Sequence, residues 1–261
     1  MLPVIEIFGR EIAMYGLLIL IGCLLGVLAA YLRAGIYRTA GQDVLFAFLM
    51  GIVGVIIGAK LFYIVTILPQ LAAVLQAGLS LTEVFGMLSA GFVFYGGLFG
   101  GGAAVFLYCR KYKLPFLNML ELILPSVPLI HSLGRIGCFC AGCCYGIPYE
   151  GAVGVRFPEA GIAPSGTDLF PVQLLESLLL FLLAASLFWY GRKKRKPGRI
   201  LGFYCFGYGL IRLVTETFRG DQIRGFLWIF STSQWISFLL IVAGILALMP
   251  GKNMRNNVKK I

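Results

Sequence analysis

Charge is what this chain has least of. Only 13% of its 261 residues are Asp, Glu, Lys or Arg, and 59% are hydrophobic. Soluble domains are about a quarter charged and about half apolar, so the composition excludes an ordinary soluble globular class. Acidic residues are scarcer still, 11 against 22 basic ones, which leaves a net charge of +11. The leader Met1–Gly9 lacks positive charge and carries Glu6. The first apolar run therefore reads as a membrane segment and not as a cleaved signal peptide, which wants a basic n-region. Internal repeats and paired broken helices are also missing, which weighs against a transporter.

What is present is long apolar runs, each near the roughly 20 residues needed to cross a bilayer. Seven spans are predicted, at about 12–31, 44–68, 92–109, 116–138, 171–190, 199–218 and 227–249. The fold class is thus an all-α membrane protein, a single polytopic domain over 1–261. Two further segments, 69–91 and 139–170, are placed on the outer face. Pro125 and Pro128 interrupt the fourth span.

Cytoplasmic loops carry excess Lys and Arg, and this orients the spans. With the N-terminus outside, the inner segments are 32–43, 110–115, 191–198 and 250–261. They hold Arg33, Arg38, Arg110, Lys111, Lys113, the run Arg192–Lys196, and Lys252, Arg255, Lys259 and Lys260. The outer segments hold Arg10, Arg156, Arg219 and Arg224. The C-terminus is then cytoplasmic. The net positive charge reflects topology and anionic lipid, and no nucleic-acid partner is expected.

Ionisable residues within spans are costly and usually functional. At about 1.5 Å per residue, Arg135, Arg212, Glu216, Gln173 and Glu176 all fall in the outer half of their helices, as do Lys60, Tyr15 and Tyr95; Glu121 lies near the inside. Arg212 and Glu216 are four residues apart and share a helix face, as do His131 and Arg135. Arginine grips phosphate through parallel hydrogen bonds, so two arginines at outer-leaflet depth suggest a phospholipid headgroup. An Arg–Glu pair that only ties two helices together is the plainer alternative. The glycines of Phe94–Gly102 allow close backbone approach, mostly for helix packing.

Four of the seven cysteines fall in Cys138-Phe139-Cys140-Ala141-Gly142-Cys143-Cys144. A zinc site more often uses paired cysteines or histidines at separate places, and here one histidine lies upstream. A disulfide on an oxidising face and a reactive thiolate beside Arg135 are both expected ahead of a metal. The residues themselves leave that choice open.

Gly134-Arg135-Ile136-Gly137-Cys138-Phe139, followed by Gly142 and Gly146, resembles the signature of the prolipoprotein diacylglyceryl transferase family. The likeness runs through nearly the whole chain. Met14-Tyr15-Gly16 is similar to the family's first-helix Tyr-Gly, and Phe94-Tyr95-Gly96-Gly97-Leu98 to its Phe-His-Gly-Gly-Leu. Phe170-Pro171-Val172-Gln173-Leu174-Leu175-Glu176 is similar to its His-Pro-Ser-Gln-Leu-Tyr-Glu. Gly207-Tyr208-Gly209 through Arg212, Glu216 and Arg219 resembles its penultimate helix, and Ser233-Gln234 the start of its last.

The resemblance implies a seven-helix protein of the bacterial cytoplasmic (inner) membrane whose site faces the outer leaflet. Its partners would be membrane lipid, phosphatidylglycerol and the signal peptide of a preprolipoprotein, with no metal and no soluble cofactor. Arg135, Arg212 and Glu216 would be catalytic; His131, one turn from Arg135 on the same face, and Cys138 and Cys143, which replace family residues, are the further catalytic candidates of this chain's own. Tyr15, Tyr95, Gly96, Gly97, Gly134, Gly146, Gln173, Glu176, Tyr208 and Arg219 would bind substrate. The chain departs from the family where Cys138 and Ala141 replace Asn, Cys143 replaces an acidic residue and Tyr95 replaces His. The phosphate-gripping half is kept and the thiol-activating half is rebuilt. A different acceptor, or a thiol–disulfide protein on the same fold, is the alternative expectation.

Overall fold

The computed structural model describes residues 3–7, 9–76, 80–89, 91–158, 163–220, 226–227 and 229–249. The predicted inner segment 250–261 and Arg224 lie outside the described residues, as do parts of 69–91 and 139–170. Nine α-helices are described: α1 Met14–Leu32, α2 Gly41–Gln76, α3 Leu81–Ser89, α4 Phe94–Lys111, α5 Phe116–Ile123, α6 Ser126–Ala141, α7 Val172–Tyr190, α8 Arg199–Glu216 and α9 Thr232–Leu248. Three short antiparallel hairpins accompany them: β1 Val4–Ile7 with β2 Arg10–Ala13, β3 Val155–Arg156 with β4 Asp168–Leu169, and β5 Phe226–Leu227 with β6 Phe230–Ser231.

Among the described residues, four helical stretches are long and apolar enough to cross a membrane: Met14–Leu32, Gly41–Ala72, Phe116–Ala141 and Val172–Tyr190. Thr232–Leu248 is apolar but shorter. Helices α4 and α8 stand at the remaining predicted spans. Two boundaries differ from the sequence reading. Helix α2 continues through Pro69 to Gln76, so the first part of 69–91 extends a helix. Proline removes one N–H and so leaves the carbonyl of Val65 without its helical donor. The fourth span is two pieces, α5 and α6, joined at Leu124-Pro125. Pro128 is harmless in the first turn of α6, where the N–H has no helical partner anyway.

The chain forms two compact units, residues 1–37 with 120–261, and 38–119. In the second unit α2 and α4 meet backbone to backbone. A Cβ on Gly58 would strike Gly96 O, and one on Gly54 would strike Gly100 O. These small residues let the helices approach more closely than side chains permit. Gly96 and Gly97 both face α2 in this contact. Lys60 Nζ donates to Ser89 O at 2.9 Å and lies 5.0 Å from the Phe92 ring centroid.

In the first unit α1 packs on α6, α6 on α7, α7 on α8 and α8 on α9. Close approach is again local. Tyr15 Cα lies 2.9 Å from where a Gly137 Cβ would stand. Buried hydroxyls bridge helices, Ser126 Oγ donating to Gly26 O (2.8 Å) and Ser177 Oγ to Ser132 O (2.9 Å). Leu180, Leu183, Leu187, Ile200, Tyr204 and Tyr208 form the apolar core between α7 and α8. At the start of α8, the buried Glu121 accepts from Gly198 N (3.0 Å) and Ile200 N (3.0 Å), satisfying helix-end donors. Arg33 beside it donates to Leu122 O at 2.8 Å.

Candidate active site

Three helices of the first unit deliver charge to one point. Arg135 comes from α6, Glu176 from α7, Arg212 and Glu216 from α8. Arg135 Nη2 lies 2.9 Å from Glu176 Oε1, and Arg212 Nη1 lies 3.8 Å from the same oxygen. His131 Nε2 is 4.0 Å from it. Arg212 Nη2 also meets Glu216 Oε2 at 2.6 Å, the i,i+4 pair expected from spacing. The side chains of Arg135, Glu176, Arg212 and Glu216 are 11%, 1%, 8% and 9% exposed. Bringing four ionised groups to such depth is expensive unless they are mutually compensated.

Helix α9 completes the cluster. Arg212 Nη2 donates to Ser233 Oγ at 3.2 Å, and Ser231 Oγ donates to Glu216 Oε1 at 3.0 Å. Ser231 also caps α9 in a reciprocal box with Gln234, so the residue that starts the helix also positions the carboxylate.

The charges are ion-paired in distance but poorly aligned in direction. Among the described residues, Glu176 Oε1 and Oε2, Glu216 Oε2, Arg135 Nε and Arg212 Nη1 are buried without a hydrogen bond. Such atoms are rare in native interiors. They give the cluster donors and acceptors that a polar ligand can engage.

Gly142, the C-cap of α6, is left-handed (φ +67°), and two residues on Cys144 adopts φ +56°. Cys143 N donates to Cys138 O at 3.1 Å, closing the turn. Gln173, fully buried on α7, donates from Nε2 to Cys143 O at 2.9 Å. The sulfurs of Cys138, Cys143 and Cys144 come within 4.8 Å of one another. Hydrogen bonding from the Cys138 and Cys143 thiols holds the Cys144 thiol well below the usual thiol range. Arg135 and Arg219 act the same way, against the cost of burial.

The predicted site residues fall into three groups. Arg135, His131, Glu176, Arg212 and Glu216 meet directly. Tyr208 stands beside them, its ring 5.8 Å from that of His131, and Tyr15 lies against Gly137 of α6. Gly146 and Gln173 fix the chain around the thiols. Gly146 bridges to Arg219, and a Cβ there would meet Phe170 O and Phe218 O. Gly134 takes only an ordinary contact with Ile19. Tyr95, Gly96 and Gly97 lie on α4, in the second unit. Sequence reasoning paired Arg212 with Glu216 but missed Glu176 as the shared partner of both arginines; it placed Cys144 in the cysteine cluster without choosing it as a site residue, and it passed over Ser231. The outer-half depth of Glu176 was the one available signal.

The chain matches the family model described as prolipoprotein diacylglyceryl transferase over residues 3–250. It is 41% identical over 247 residues to a phosphatidylglycerol–prolipoprotein diacylglyceryl transferase of Clostridium tetani, covering 94% of this chain and 96% of that protein. A second such transferase, from Clostridium perfringens, is 36% identical over 92% of this chain and 91% of its own length. One from Nitrosomonas europaea is 35% identical over 92% and 86% respectively.

Proposed function

The chain belongs to the prolipoprotein diacylglyceryl transferase family, and on that basis we infer that it moves a diacylglyceryl group from phosphatidylglycerol to the cysteine thiol of a prolipoprotein. The single observation that carries the site assignment is the convergence of two buried guanidiniums on one carboxylate oxygen: Arg135 Nη2 and Arg212 Nη1 lie 2.9 and 3.8 Å from Glu176 Oε1. Two arginines gathered at one point suit the phosphate of a phosphodiester.

The reaction is a displacement at carbon. The acceptor sulfur attacks the glyceryl carbon that bears the phosphate, the S–C bond forms and the C–O bond to phosphate breaks. Glycerol phosphate leaves with one more negative charge than the diester carried. Arg135 and Arg212 stabilise that gain, the largest device available to a site of this kind. Glu176 holds the two guanidiniums toward each other, Glu216 and Ser233 fix Arg212, and His131 is placed to receive the thiol proton. The seven-span reading with the N-terminus outside puts this layer at outer-leaflet depth in the cytoplasmic membrane, working as one polytopic domain.

Phosphatidylglycerol vesicles carrying the protein and a cysteine-bearing signal peptide test this directly, with released glycerol phosphate and peptide mass as readouts. Arg212→Ala loses a charge-assisted phosphate contact of about 1.5–3 kcal/mol, or roughly ten- to a hundredfold in rate. Full activity in that variant would sink the site assignment. Labelling single cysteines introduced at 150–158 and 191–198 from the outer face tests orientation. The first set is expected to react and the second to be protected.

A further inference from the structure

We propose that Cys138, Cys143 and Cys144 form a binding site for a thiophilic cation such as zinc(II), with one coordination position left for the acceptor thiol. The second half of this proposal rests on the transferase reading above; the binding half does not.

The geometry comes first. The three sulfurs lie within 4.8 Å of one another, the only such ligand cluster found among the described residues. A tetrahedral ion with metal–sulfur bonds of about 2.3 Å needs sulfurs about 3.8 Å apart, so a contraction of under about 1 Å suffices. One disulfide would consume two of these thiols and strand the third, whereas one metal ion uses all of them. The backbone that presents them is fixed from outside the turn: buried Gln173 holds Cys143 O, and the Gly142 turn returns Cys143 N to Cys138 O. A ligand set locked by its surroundings is what a metal site requires.

Charge comes second. Arg135 and Arg219 face the cluster and would repel a bare cation. Three thiolates with a divalent ion carry one net negative charge, which those guanidiniums stabilise. Three protein ligands also leave tetrahedral coordination one short, the arrangement of catalytic rather than structural zinc.

Function comes third. The acceptor in this reaction is itself a thiol, and a thiol that coordinates such an ion is deprotonated outright. On binding, the acceptor S–H gives up its proton, for which His131 stands within reach of the same charge cluster. The sulfur then forms its bond to the glyceryl carbon as glycerol phosphate departs onto the arginines. The thioether product carries no thiolate charge and is a weaker ligand, so it leaves. No oxidant or reductant is consumed.

The test uses the full chain in detergent, reduced and stripped with a chelator. Cadmium(II) titration, followed by its thiolate absorption in the ultraviolet, is expected to saturate at one ion per chain. Cys144→Ser should weaken binding at least about a hundredfold, since even an outer-shell change costs about 10–100-fold. Cys140→Ser and Cys205→Ser should leave it unchanged. Independently of any variant, one equivalent of zinc should slow alkylation of Cys138, Cys143 and Cys144, mapped by mass, while the rates at Cys140 and Cys205 stay the same. Equal rates with and without zinc overturn the site. For the catalytic half, stripped protein should lose at least about tenfold of its transfer rate and recover it with zinc. Bound metal with transfer indifferent to stripping overturns that role. Absence of glycerol phosphate release in every form, metal-loaded included, overturns the transferase reading and leaves the binding result standing.

Discussion

Two buried glutamates in the same unit do opposite work. Glu121 is 0% exposed and Glu176 is 1% exposed. They mark points about 18 Å apart along α8, taking Ile200 and Arg212 as the residues they meet. Glu121 is held by backbone: the N–H groups of Gly198, Ile200 and Leu201 all point to it, and Tyr37 adds a hydroxyl at 3.5 Å. Its neighbour Arg33 is likewise spent on the carbonyls of Leu122, Glu121 and Gly191, with Nε alone left over. Glu176 is held only by side chains, two guanidiniums and an imidazole, and neither of its oxygens has an aligned hydrogen bond. Backbone donors cannot be lent to a substrate without unwinding a helix. Side chains can turn. Buried charge closed by backbone is therefore structural, and buried charge closed loosely by other side chains is available for chemistry.

Substitution at the two positions should separate these roles. Glu176→Gln keeps the shape and removes the charge that gathers Arg135 and Arg212. Breaking a buried pair costs about 3–5 kcal/mol, and if most of this falls on the transition state, transfer drops by about two to three orders of magnitude. The measurement is initial rate in protein that still folds and inserts. Glu121→Ala should act the other way. It strands helix-end donors at about 1–3 kcal/mol of stability, lowering the melting temperature in detergent, while the rate per folded molecule stays within about twofold. A folded but inactive Glu121→Ala protein, or a fully active Glu176→Gln protein, would reverse the assignment of roles.

Much of the fold could be read from patterning. The apolar runs place α1 and α7 within two residues of their ends, because a membrane helix declares itself by length and composition. Arg212 and Glu216 were legible as a pair because four-residue spacing is a local property. Glu176 as the hub was not, since its partners stand on α6 and α8 and only packing brings them together. Nor was the continuation of α2 past Pro69 to Gln76, where the helix runs on despite the usual breaking rule. Cys144 was legible as part of the cysteine cluster, but its approach to Cys138 was not: it depends on two departures from helical geometry, at Gly142 and at Cys144 itself.

Ser233 probes how finely the loose network is adjusted. Its hydroxyl accepts from Arg212 Nη2 at 3.2 Å, on the same nitrogen that meets Glu216 at 2.6 Å. Ser233→Ala removes that acceptor and leaves the guanidinium tied to Glu216 but free to pivot about it. A hydrogen bond of this kind is worth about 0.5–1.5 kcal/mol, so roughly a two- to tenfold loss is expected. The loss should fall mainly on kcat, because Arg212 is needed most when the leaving phosphate gains charge. Stability should barely change, since the cap of α9 belongs to Ser231 and Gln234 and stays intact. Ser233→Thr restores an acceptor and should recover most of the rate. If Ser233→Ala lowers the melting temperature without touching kcat, the α9 contact is a helix strut, and Arg212 is positioned by Glu216 and Glu176 alone.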